Sequence, residues 1–165
     1  MIGKRLKCLL LCVFASALFS KAWAASNLSW QALIPEDERH LVQQFQVNHN
    51  LAPEEVPEQD KRGGFVEALH QTQQRIPGFI VPLEFDGDKI SEFFLVSYFG
   101  ACLHFPPPPP NQLIHVKATI DNIEPWQAVW LEGELSLAKE QAEDGTLAGY
   151  QMQLSRSPEL ISKAP

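Results

Sequence analysis

Ile76-Pro-Gly-Phe-Ile-Val-Pro-Leu-Glu-Phe-Asp-Gly-Asp-Lys-Ile-Ser-Glu-Phe-Phe-Leu-Val-Ser-Tyr98 decides the fold. Phe79, Val81, Leu83 and Phe85 recur at every second residue, the spacing that puts side chains on one face of a strand. Pro77 and Pro82 cannot donate ladder hydrogen bonds, so this strand is expected to be an edge, or to be bulged or bent there. Asp86-Gly87-Asp88 is a hairpin turn signal, and Ile90–Tyr98 reads as the returning strand. Farther on, Leu113–Ile120 is a third strand. It carries Ile114, Val116 and Ala118 on one face and Leu113, His115 and Lys117 on the other, and Lys117 marks that second face as solvated. Trp126–Leu137 and Thr146–Leu154 follow as the fourth and fifth strands, parted by a polar turn at Lys139–Gly145. Five antiparallel strands within about 80 residues point to a mainly β domain closed as a small Greek-key barrel, since closure removes exposed edges.

Upstream the pattern is not that of strands. Pro35 fits a first helical position, and Glu36, Asp37 and Glu38 suit the positive end of a helix dipole. Leu41, Val42 and Phe45 share a face, so a short helix is expected to end near Val47. Leu51–Gly64, with two prolines, four acidic residues and Gly63-Gly64, reads as an acidic linker. The first residues have the three parts of an export signal. Lys4, Arg5 and Lys7 form a cationic stub, Cys8–Phe19 is an apolar run too short to span a bilayer, and Ala22-Trp23-Ala24 is a small-x-small cleavage site. The organisation expected is therefore a signal peptide at 1–24, helix and linker at 25–64, barrel at 65–156 and a frayed tail at 157–165. Such a protein would work in the periplasm with no stable membrane anchor after cleavage.

Charge narrows the choice of partners. The chain has 13 basic and 20 acidic residues and a net charge of −7. Cleavage after Ala24 would remove four basic residues and no acidic ones, making it more negative still. Such a surface repels phosphate backbones, so nucleic acid is a poor candidate partner and none is expected. Cys8 and Cys12 would leave with the signal, and Cys102 would then be a lone thiol in an oxidising compartment. There it must be buried, metal-bound or used.

Cys102 falls in the most unusual stretch, Phe99-Gly-Ala-Cys-Leu-His-Phe-Pro-Pro-Pro-Pro-Pro-Asn-Gln112. Five prolines, Pro106, Pro107, Pro108, Pro109 and Pro110, favour an extended polyproline rod of about 15 Å. Lying between two strands, the rod with Asn111 and Gln112 reads as a stiff strap across one end of the barrel, or as a partner-binding element. Cys102 and His104, two residues apart on extended chain, can face one metal, and thiolate with imidazole suits zinc or copper. A zinc site needs three or four donors. His40, His49, His70, His115 and Glu84 are scattered, and His115 is the nearest along the chain. The alternative stays open: Cys102 as a small buried residue and His104 as a hydrogen-bonded structural one. Trp30, Trp126 and Trp130 read as packing residues. No phosphate loop, nucleophile elbow or zinc-protease helix motif is present, so catalysis is not the expectation.

The Pro-Gly…Pro-Leu segment at 77–83 and the Gly-Ala-Cys-x-His-x-polyproline-Asn-Gln run at 100–112 resemble a family of uncharacterised exported bacterial envelope proteins, a domain of unknown function. The resemblance covers Trp30–Leu154. It departs at Ser97, where many relatives have proline, and at Phe105, which is bulkier than usual. It implies an OB-like β-barrel, export to the periplasm, and for some members a place beside ABC-transporter components linked to zinc supply. It brings no established catalytic or binding residues. The expectation is an exported accessory or binding protein holding zinc at Cys102, His104 and His115, with an envelope or ABC-transporter partner. The alternative is an interaction module of the cell envelope with a structural buried cysteine and no metal.

Overall fold

The computed structural model describes residues 25–42, 59, 63–99, 108–141 and 145–162. The expected signal segment, most of the acidic linker, and Cys102, His104, Pro106 and Pro107 lie outside them. Seven strands among the described residues make one mixed sheet: β1 (Ser26–Asn27), β2 (Thr72–Asp86), β3 (Lys89–Val96), β4 (Leu113–Ile120), β5 (Ala128–Gln141), β6 (Leu147–Leu154) and β7 (Glu159–Leu160). Among the described residues the helical pieces are single turns. Trp30–Leu33 and Glu36–Glu38 are 3₁₀ and Arg39–Val42 is α-helical. The short helix expected from Pro35 opens as a 3₁₀ turn and continues as α-helix from Arg39. Its expected end near Val47 lies outside the described residues.

The sheet order β1-β2-β3-β4-β6-β5-β7, with a further β2–β5 pairing, brings the pairings back to β2 in a partial ring of five long strands. An odd number of strands cannot alternate direction all the way round, so one pair must run parallel. That pair is β4–β6, joined at Ile114↔Tyr150 and His115↔Gln151. The all-antiparallel expectation is corrected accordingly. β2 makes the ring possible by serving two partners: Thr72–Phe79 lies on β5 and Phe79–Asp86 on β3. The two short strands cover free edges, β1 beside Gln74 and Arg75 and β7 beside Val129 and Trp130. The described part of the expected tail, 157–162, is paired there, with the Ile161 N–H donating to the Ala128 carbonyl at 2.9 Å.

Proline and bulging act together in β2. The ladder shifts register on both sides of Glu84, which is where the missing donor of Pro82 relaxes the pairing. Phe85 then sits opposite Ile90 of the inner core and Glu84 opposite Glu92. The shared face expected for Phe79, Val81, Leu83 and Phe85 therefore ends at Leu83.

Both faces of the hairpin are apolar because both are covered. The inner cluster includes Ile76, Ile80, Phe93, Leu95, Val116 and Tyr150, all fully buried. A second cluster on the outer face holds Val81, Phe94, Val96, Leu113 and Ala148, flanked by Phe79, Leu83 and Trp126. Leu113 and His115 belong to this outer face and are buried. The solvated side inferred from Lys117 begins only at Lys117 itself.

Candidate functional site

The strap reaches the described structure at Pro108. Pro108, Pro110, Asn111 and Gln112 are buried, Pro109 is half-buried, and Pro110–Gln112 form a 3₁₀ turn. Proline has no N–H, so the carbonyls of the run must be met from elsewhere. Gln59 does this: its Nε2 donates to the Pro108 and Leu147 carbonyls, both at 2.8 Å, while its Oε1 accepts from the Leu147 N–H. Gln112 Nε2 donates to the Trp30 carbonyl at 3.1 Å and Asn111 Nδ2 to the Gly64 carbonyl at 3.1 Å. The end of the strap is thereby tied to the N-terminal segment, to the stretch before β2 and to β6. The buried Asn111 Oδ1 has no partner among the described residues.

Two residues into the outer face of β4 stands His115. Its Nε2 lies 2.6 Å from Glu92 Oε1, and its side chain is 3% exposed against 19% for Glu92. Lys117 Nζ is 3.8 Å from the same carboxylate oxygen, and the Phe94 ring meets the imidazole edge-on at 5.4 Å. The other ring nitrogen, Nδ1, is buried with no hydrogen-bond partner among the described residues. A buried polar atom left unpaired costs roughly 1–3 kcal/mol, so it calls for an explanation. The signal for Glu92 was present in the sequence, where it is the one charged residue of Ile90–Val96. Its pairing with a histidine 23 residues away was not.

The other candidates stay apart. His40 is exposed, His70 Nδ1 accepts the Leu137 N–H at 3.2 Å, and His49 lies outside the described residues. Glu84 is exposed opposite Glu92. Among the described residues no three His, Cys, Asp or Glu side chains gather closely enough to hold a metal ion. Any further donors to His115 would come from outside that set, where Cys102 and His104 lie. Those two fall in sequence between β3 and β4, whose facing residues Val96 and Leu113 pair two positions from the Phe94↔His115 pair.

Two other surface features are formed. Phe99, 70% exposed, meets Phe79 and Trp126 edge-on, each at 5.9 Å, and Trp126 has a φ of 67°. Trp30 and Trp130 pack as expected, through a 2.7 Å hydrogen bond to the Pro77 carbonyl and a stack under Arg75. At the far end of β4 a cleft of about 400 Å³ opens between Ala118–Ile123 and Leu154–Pro158. Its charged side chains are engaged. Arg156 pairs with Glu132, and a hydrogen bond from Lys89 holds the Asp121 carboxyl below the usual carboxylate range. No helix among the described residues is long and apolar enough to cross a membrane.

A family model described as a protein of unknown function, DUF3299, matches residues 30–158. The chain is also similar to the crystal structure of a DUF3299 family protein from Pseudomonas aeruginosa PAO1. The two are 30% identical over 86% of this chain and 99% of that one, with a TM-score of 0.63. No curated protein matches the chain.

Proposed function

The chain belongs to the DUF3299 family, and from that premise we propose an exported periplasmic binding protein that holds a transition metal, zinc above all, at Cys102, His104 and His115. Its body would be an OB-like barrel, a reading supported by the return of the strand pairings to β2. Its role would be accessory, holding a cation for an ABC-type transport partner without turnover. The observation that carries the metal is His115 itself. One ring nitrogen is engaged by a carboxylate while the other is buried with no partner among the described residues. Zinc-ligating histidines characteristically bond the non-coordinating nitrogen in this way. A thiolate and two imidazoles then make a three-donor set suited to zinc, with a fourth position for water or a partner's donor.

The protein recovered from the periplasm of an expressing bacterium should take up one zinc ion per chain, read by competition with a chromophoric chelator. Cys102→Ser and His104→Ala should each weaken uptake at least about tenfold, as expected for loss of a direct ligand. Equal affinity in both variants and the parent would overturn the assignment. One observation favours a second reading, an envelope interaction module with Cys102 merely buried: Phe99 is held exposed by two braced rings. Thiol labelling separates the two. Chelator-dependent reactivity of Cys102 supports the metal, and inertness with and without chelator supports burial.

A further inference from the structure

We infer that Glu92 is the positioning residue of the site, fixing His115 in the tautomer that leaves Nδ1 as its metal-coordinating atom; this rests on the metal reading above. A carboxylate oxygen can only accept, so at 2.6 Å the Nε2 of His115 carries the hydrogen. In the neutral ring that leaves the lone pair on Nδ1, the atom buried without a partner among the described residues. The ring cannot easily turn to exchange its nitrogens. It is 3% exposed, and Phe94 packs against it edge-on. Flipping it would also take the N–H away from Glu92 and bury both polar atoms unpaired, a double desolvation cost. The arrangement therefore specifies the coordinating nitrogen before any metal arrives.

Lys117 adds a second element. Its ammonium lies 3.8 Å from the Glu92 oxygen that holds the imidazole, and it is more than half exposed. It competes for the negative charge that would otherwise make the imidazole a stronger donor. Removing it should strengthen metal binding, whereas removing Glu92 should weaken it. A merely structural ion pair would show no such opposed effects on zinc affinity.

The test uses the full exported protein labelled with ¹⁵N-histidine. Long-range ¹H–¹⁵N spectra report which ring nitrogen carries the hydrogen. Without zinc, His115 should be in the Nε2–H form, and added zinc should move the Nδ1 resonance. Glu92→Gln keeps an acceptor in place and so preserves the fold, which its thermal midpoint checks. It should weaken zinc binding by about 10- to 100-fold, the usual effect of removing such a partner. Glu92→Asp should recover part of that loss, and Lys117→Met should bind more tightly than the parent. An Nδ1–H form in the parent overturns the inference. So does an unchanged zinc affinity in Glu92→Gln while His115→Ala binds more weakly. A parent that takes up no zinc overturns the metal reading itself, which is a different result from either of these.

Discussion

Gly133→Ala is expected to destabilise the protein by about 3 kcal/mol or more, because a side chain there forces backbone movement in a packed region. Gly133 sits in β5 where that strand is flanked on both sides, paired with Gln74 of β2 and Leu154 of β6. A Cβ at this position would land on the carbonyl oxygen of Gln153 and 3.0 Å from the Leu154 Cα. Both are backbone atoms of a paired strand, so no side-chain rotation relieves the contact. The β5–β6 ladder would have to open at the place where β5 passes from one partner to the other. For a domain of this size the loss corresponds to a fall in Tm of about 10 °C. Gly87, at the hairpin tip, is the control. Its φ is +62° but nothing lies within 4 Å of a Cβ there, and asparagine tolerates that backbone. Gly87→Asn should stay close to the parent in a thermal melt. A Gly133→Ala melt that overlays the parent would contradict the steric account.

Tyr150→Phe is the second large effect, with an expected cost of about 2–3 kcal/mol for two broken hydrogen bonds in a buried setting. The ring is fully buried in the inner cluster, and phenylalanine would keep its packing, including the edge contact with Phe65 at 5.7 Å. What disappears is the hydroxyl. It donates to the Leu33 carbonyl at 2.8 Å and accepts from the Val66 N–H at 2.9 Å, tying both segments that precede β2 to β6. Burial also raises the Tyr150 pKa above its ordinary 10.0. The native state thus holds its proton at pH values where the unfolded chain has lost it. The stability from this group is complete below pH 10 and is lost as pH rises through the raised native value. Urea unfolding at neutral and strongly alkaline pH checks both parts. Tyr150→Phe should be less stable at neutral pH and should lose part of the alkaline decline. An unchanged midpoint at neutral pH would show that the two hydrogen bonds contribute nothing net.

Much of the strand content was legible in the sequence because it is written in local patterns. Ile90–Tyr98 and Leu113–Ile120 were recognisable from β-branched and aromatic runs, Thr146–Leu154 followed a polar turn, and Asp86-Gly87-Asp88 marked the hairpin. Strand ends were less legible. β2 begins at Thr72 and β5 runs on to Gln141, because neighbouring strands supply pairing that residue preference does not require. The candidate site was legible in part. Residue chemistry singled out His115, but its strand face was misjudged, since a lysine two positions on says nothing of what packs over the intervening chain. Glu92 was passed over because its partner is set by cross-strand register.

By itself, then, the amino-acid sequence determined the mainly β character, the position of the first hairpin and the motif around the proline run. Alternation, turn chemistry and the missing proline N–H act over a few residues. Only the tertiary structure decided that β4 and β6 run parallel and that the register slip at Glu84 sets Phe85 opposite Ile90. It also decided that Tyr150 meets Leu33 across 117 residues and that His115 is buried against Glu92. Each depends on the register between distant segments, which is set when strands far apart in the chain pair in one sheet and must fit two neighbours together.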